Sequence, residues 1–164
     1  MHKGIFLSLG GNVGDVQANF ADALEALEAR KVHVVKESAL YKTEPIGITD
    51  QDWFFNQVVE VETELSPLEL LYACLATEEE IGRIRNPDEK WGPRPIDVDL
   101  LFYHDQVINT TELTVPHPEL VDRRFILVPL SEIAPDFRHP TRRKTIQELL
   151  TKLNETDAAE VIKV

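Results

Sequence analysis

The first apolar run, IFLSL at 5–9, is short and stops at Gly10-Gly11-Asn12, which predicts a buried strand closed by a turn. From about Asp15 the period changes. Phe20, Leu24 and Leu27 recur at i, i+4 and i+7 with acids and glutamine elsewhere around the circumference, the mark of an amphipathic helix. HVVKESALYK (33–42) is β-branched and partly alternating, and reads as a second strand. In FFNQVVEVETEL (54–65), Glu60, Glu62 and Glu64 alternate with Val59, Val61 and Thr63, so this third strand keeps one wet face. Ser66-Pro67-Leu68-Glu69 is a capping box with proline at the first helical position, and its hydrophobic stripe continues through Leu71 and Leu75 to about Gly82. PIDVDLLFY (95–103) is the fourth strand.

The order β-α-β-β-α-β predicts an α+β, ferredoxin-like fold: a four-stranded antiparallel sheet with both helices on one face. The C-terminal extension holds a hairpin candidate (DQVINTTEL), the segment VPHPELVDRRFILVPLSEIAPD and a last helix near 145–153. It is too apolar for a disordered tail and is expected to pack onto the same core, giving one domain over 1–164. The linker 43–53, TEPIGITDQDW, is long for a hairpin connection and is a candidate functional loop.

Composition narrows the chemistry. With 164 residues the chain can bury roughly 70% of its unfolded surface. Its net charge of −12 argues against binding nucleic acid or an anionic membrane, both of which need a cationic field. The single cysteine, Cys74, excludes an internal disulfide and fits a reducing cytoplasm. The N-terminus enters a strand without the apolar stretch of a signal peptide, and FILVPL (125–130) is far too short to span a bilayer. No CxxC or HxxxH spacing suggests zinc. Against the acidic background, RIRNPDEKWGPR (83–94) sets Arg83, Arg85, Lys90 and Arg94 against Asp88 and Glu89. That loop is either a solvated charged segment or a cradle for a small anion.

The fourth strand carries the sharpest signal. Residues i and i+2 share a face about 6.5–7 Å apart, so Ile96, Val98, Leu100 and Phe102 form one apolar face while Asp97 and Asp99 project together from the other. Two neighbouring carboxylates repel unless a proton or cation lies between them. The pair is either two solvated acids or a hard-cation site, and oxygen ligands with open positions suit Mg²⁺. Pro93 and Pro95 bracket Arg94 and restrict its backbone, while Arg83 and Arg85 add guanidinium forks suited to phosphate. Divalent metal, arginines and a loop are the parts phosphoryl transfer needs, and the absence of GxxxxGK[ST] excludes a P-loop enzyme. Phe54 and Asn56 share a face of the third strand, where a ring beside an amide suits a flat heterocycle or simple packing.

Taken together, LSLGGNVGD (7–15), YKTEPIG (41–47), FFNQVV (54–59), EEEIGRIR (78–85), WGPRPIDVDLL (91–101), LTVPHP (113–118) and RRFILVPLSEIAP (123–135) resemble the 6-hydroxymethyl-7,8-dihydropterin pyrophosphokinase family of folate biosynthesis. The match spans about residues 5–137, and GPRPIDVDLL followed by VPHP is its most specific part. The resemblance implies an ATP- and Mg²⁺-dependent transfer of pyrophosphate to the pterin hydroxymethyl group, releasing AMP, by a cytoplasmic monomer. It implies Asp97 and Asp99 as ligands of two Mg²⁺ ions, and Arg83 and Arg94 with them as catalytic residues. ATP would be addressed by Arg83, Arg85, Trp91, Arg94, Thr114, His117 and Arg123. The pterin would meet Thr43, Pro45, Ile46, Phe54, Asn56, Trp91 and Phe125.

Some positions depart from the family pattern. Gly11 stands where many relatives have serine, and Phe54 lacks the phenol that a tyrosine would supply. Pro118 replaces an aromatic, and Glu112 stands where some relatives have a cation. Glu78 falls on the Leu71–Leu75 face, where a carboxylate is costly unless paired; it either orients a site arginine or forms a structural salt bridge. Two other readings are a catalytically silent ferredoxin-like module and a different DxD-dependent nucleotide transferase.

Overall fold

Alternation along β1 (Ile5–Gly11) sends Ile5, Leu7 and Leu9 to one face of a sheet and Phe6 to the other, and all four are buried. Both faces are therefore covered. The computed structural model describes residues 3–43, 53–85, 95–157 and 160–164, with the side chains of 83–85 excepted. Its chain order is β1, α1 (Val16–Ala29), β2 (His33–Glu37), β3 (Tyr41–Thr43), β4 (Phe54–Glu62), α2 (Pro67–Arg85), β5 (Asp97–Tyr103), β6 (Ile108–Asn109), β7 (Thr114–Val115), α3 (Arg124–Ile133), α4 (Ile146–Asn154) and β8 (Val161–Lys163).

The ferredoxin-like core is present. The main sheet runs β5-β1-β4-β3-β8, with β2 also on β4, and every pairing is antiparallel. The strand expected at 33–42 is divided at Ser38–Leu40. There the Ser38 hydroxyl accepts the Val58 N–H at 3.0 Å, so a side chain replaces one rung of the ladder and the two halves separate. β8 was not foreseen; it extends the sheet beyond β3, making six strands where four were expected.

The helices start where the sequence puts them. Asp15 accepts the Ala18 N–H at 3.1 Å ahead of α1. Ser66 and Glu69 exchange bonds of 2.9 and 3.2 Å ahead of α2. The buried face of α2 is Leu70, Ala73, Cys74, Thr77, Glu78 and Ile81, not the Leu71–Leu75 line: Leu71 is half-buried and Leu75 is 45% exposed. The i, i+3, i+4, i+7 register rotated by one position because α2 packs on both α1 and the edge strand β5.

Of the C-terminal extension, the hairpin residues Leu113 and Val115 join the core under α1 and α2 as expected, but the two helices do not. The α3 and α4 helices bury Ile126, Leu127, Leu130 and Leu149 against Phe6, Val58 and Phe102 on the opposite face, forming a second core. Phe102 belongs to that face, contrary to strict alternation. Opposite Phe6 and Leu7 stand Phe102 and Leu100, so Leu101 is an extra residue and the bulge turns Phe102 over. Phe102 then packs edge-on to His139, with ring centroids 5.4 Å apart. The hairpin and the last helix stand as expected, the latter with a complete capping box at Thr145 and Glu148.

His139 is buried, and its Nδ1 accepts the N–H groups of Thr141 and Arg142, each at 3.2 Å. Burial, with the Arg142 charge beside it, lowers its pKa from 6.5 to about 4. The fold thus favours the neutral ring, and the stabilisation is complete above the ordinary value and lost as pH falls from 6.5 toward about 4. Thermal melts across that window are expected to show a steeper acid loss in the native chain than in His139→Asn, whose amide oxygen keeps an acceptor without titrating. Parallel curves would contradict this.

Candidate active site

Of the residues singled out from sequence, Asp97, Asp99, Asn56 and Phe54 share the face of the sheet that carries the second core. Asp97 pairs across from Gly10, and Gly10 from Asn56, which in turn pairs with Tyr41. Opposed residues in antiparallel strands point the same way, so Asp97, Gly10 and Asn56 form one row across three strands. Asp99, Ser8 and Val58 form the next. Phe54 lies two residues from Asn56 on the same face, opposite Thr43, and is 40% exposed. Asp97 and Asp99 are both exposed on this face.

Glycine gives the row its shape. A Cβ at Gly10 would sit 3.2 Å from the Asn56 Oδ1, so the amide lies directly over the bare backbone. At Gly11 a Cβ would meet the Pro95 carbonyl oxygen at 2.6 Å, which locks the end of β1 against the entry to β5. A serine there would require Pro95 to move. The Asn56 Nδ2 is buried with no hydrogen-bond partner among the described residues. Buried donors are ordinarily paired, so this one marks a place for an acceptor from outside.

The second core supplies the far wall. His117 donates its backbone N–H to the Leu101 carbonyl at 2.9 Å, anchoring the VPHP segment beside β5. Its Nδ1 accepts the Glu119 N–H at 3.2 Å, which assigns the proton of the neutral ring to Nε2. Burial lowers the His117 pKa; Asp99 and Glu119 act against that, and Arg123 with it. Arg123 pairs with Glu119 and its guanidinium lies 5.5 Å over the Phe125 ring, at the start of α3. Phe125 is half-buried against the second core.

Thr114 is exposed on β7, which packs beside β5. Glu112 accepts the Tyr72 hydroxyl at 2.5 Å, so this departure from the family pattern is engaged within the chain. Pro45, Ile46, Trp91 and Arg94 lie outside the described residues, and Arg83 and Arg85 sit in the last turn of α2 with undescribed side chains. The Glu78 carboxylate accepts the Val98 N–H at 2.7 Å, a bond to the strand beside the site. Sequence reading missed that bond because nothing in α2 announces which backbone donor it will meet. The row through Gly10 was also missed, although a glycine inside a strand signals close approach.

As a donor set, Asp97 and Asp99 fit Mg²⁺ or a pair of such ions. They offer carboxylate oxygens alone, on an exposed face, with coordination left for water and phosphate. No cluster of three or more His, Cys, Asp or Glu able to hold a metal occurs among the described residues, so a closed structural site is not built there.

A family model described as 7,8-dihydro-6-hydroxymethylpterin-pyrophosphokinase matches residues 6–135. The chain belongs to that family. It is 44% identical over 157 residues to the 2-amino-4-hydroxy-6-hydroxymethyldihydropteridine pyrophosphokinase of Methylorubrum extorquens, covering 95% of this chain and 97% of that one. It is 39% identical to the Bacillus subtilis protein of the same name, over 90% and 89% of the two chains. The "Folic acid synthesis protein fol1" of Pneumocystis carinii is 35% identical, covering 98% of this chain but 22% of that protein. Among solved structures, wild-type Plasmodium falciparum HPPK-DHPS superposes with a TM-score of 0.70 at 17% identity, which establishes the shared fold. It covers 91% of this chain, which spans under half (44%) of that one.

The pyrophosphokinase fold is held at the site by Gly11. Gly11→Ala is expected to cost on the order of 2 kcal/mol in urea unfolding, because the contact is with backbone and cannot be relieved by a rotamer change. A change below about 0.5 kcal/mol would show that the β5 entry yields freely.

Proposed function

We propose that the chain transfers the β,γ-diphosphate of ATP to the hydroxymethyl oxygen of 6-hydroxymethyl-7,8-dihydropterin, with Mg²⁺ bound at Asp97 and Asp99. The observation that carries this reading is the row Asp97–Gly10–Asn56 with Asp99 in the adjacent row: carboxylates at one end, an amide whose buried donor has no partner among the described residues at the other, bare backbone between.

Each residue has a task that follows from its chemistry. Phe54 and Phe125 present apolar rings for the faces of the bicycle, and Asn56 offers Nδ2–H to an acceptor on its edge. His117, neutral with its proton on Nε2, and Arg123 are donors for phosphate oxygens. Arg83, Arg85, Arg94 and Trp91 are assigned to the same polyphosphate, and Thr43, Pro45 and Ile46 to the pterin, on the family pattern. Bound Mg²⁺ would neutralise charge on the phosphates. In the reaction the alcohol oxygen forms a bond to the β-phosphorus as the bond from that phosphorus to the α,β-bridging oxygen breaks. AMP leaves with that oxygen, and the alcohol proton passes to solvent. Catalysis is then positioning and electrostatics.

Incubation with ATP, Mg²⁺ and the hydroxymethyl-dihydropterin should yield AMP and a pterin diphosphate by phosphorus NMR. ADP as product, or no turnover from folded protein, would overturn the assignment. Asp97→Asn and Asp99→Asn should each lower kcat by about a thousandfold or more while leaving the melting temperature close to native. Asn56→Ala removes a donor that has no partner among the described residues. Its melting temperature should stay within a few degrees of native, while pterin affinity measured by calorimetry falls about tenfold or more.

A further inference from the structure

The β5 strand is the outer edge of the main sheet, pairing with β1 on one side only. An edge strand has amides that its sheet cannot satisfy, and its position is less constrained than that of a central strand. In β5 one such amide belongs to Val98, the residue between Asp97 and Asp99. Glu78 takes it, Oε2 to N, at 2.7 Å.

Glu78 is 8% exposed and sits among Leu70, Ala73, Cys74, Thr77 and Ile81 on the buried face of α2. An apolar side chain would suit that face better, and burying a carboxylate there is costly unless its bonds are made. Its neighbour Thr77 is satisfied within the helix, through the Ala73 carbonyl at 2.8 Å. Glu78 instead reaches out of α2 to the strand. The Cys74 thiol is raised to about 12, by burial first and then by the charges of Glu78 and Asp99.

We propose that Glu78 is a positioning residue for the aspartate pair, fixing the Val98 peptide so that both carboxylates stay aimed at one cation-binding point. This rests on the Mg²⁺ reading of Asp97 and Asp99. The residue acts through the backbone: rotation of either peptide flanking Val98 swings the two aspartate side chains apart or off the face. The requirement is for an acceptor at the tip of residue 78.

The experiment is a Mn²⁺ titration by electron paramagnetic resonance, with a non-hydrolysable ATP mimic present, on native protein, Glu78→Gln, Glu78→Ala and Asp97→Asn. Glutamine keeps an oxygen acceptor, so Glu78→Gln should bind Mn²⁺ within about threefold of native. Glu78→Ala should bind about ten- to a hundredfold more weakly, the range for losing an outer-shell support. Amide exchange at Val98 should be slow in native protein and Glu78→Gln and fast in Glu78→Ala. If Glu78→Ala does not fold, Glu78→Leu fills the same space without an acceptor and replaces it. Native Mn²⁺ affinity in folded Glu78→Ala or Glu78→Leu, with loss in Asp97→Asn, overturns the brace alone. Glu78→Gln as weak as Glu78→Ala overturns it in favour of a charge effect. Unchanged affinity in Asp97→Asn overturns the metal reading, and the brace with it.

Discussion

Two like charges on adjacent same-face positions of one strand are the constraint from which the rest of this structure follows. At about 7 Å their repulsion is about 2 kcal/mol for an effective dielectric near 20, and a few-fold less in open water. That is too little to unfold a strand whose other face is buried with Ile96, Val98 and Leu100, yet enough to favour a cation between them. The acids can be kept only if the strand is held from elsewhere. The bulge after Leu100, the Glu78 bond to Val98 and the core under α1 and α2 all do so.

The two faces of the sheet divide the labour. Under α1 and α2 the apolar contacts run the length of β1, β4 and β5. On the other side α3 and α4 cover only part of the sheet, around Phe6, Val58 and Phe102. The part of the sheet beyond those two helices holds Asp97, Asp99, Asn56 and Phe54. The extension is thus more than a cover. Its leading edge brings His117, Arg123 and Phe125 to the border of the open face, and the Glu132 carboxylate ties α3 to the sheet through the Tyr41 hydroxyl at 2.5 Å and the Ala39 N–H at 3.1 Å.

The sequence made the βαββαβ order legible because each element carries its own period and cap: Asp15, Ser66 and Thr145 all stand where the helices begin. The DxD pair and the Phe54–Asn56 pair were legible for the same reason, since alternation within a strand is local. What depended on contacts between elements was not. The second core, the β8 pairing and the flip of Phe102 are set by distant partners, and a bulge has no signature in PIDVDLLFY. Glu78 was visible only as an anomaly, a carboxylate on a buried face, and its bond to the Val98 backbone amide is one that no side-chain pattern reveals. Stripe register failed in α2 for a related reason: Leu75 is apolar and exposed, and Glu78 is charged and buried.

The account turns on the open face of β5 being a cation and polyphosphate site. Its most direct test is a crystal structure grown with Mn²⁺, a non-hydrolysable ATP mimic and the hydroxymethyl-dihydropterin, with the metal located by anomalous scattering. The expected map has metal bound by both Asp97 and Asp99 and bridging the phosphate chain, with the pterin beside Asn56. Anomalous peaks elsewhere, with both aspartates turned to solvent and the nucleotide bound away from β5, would contradict it.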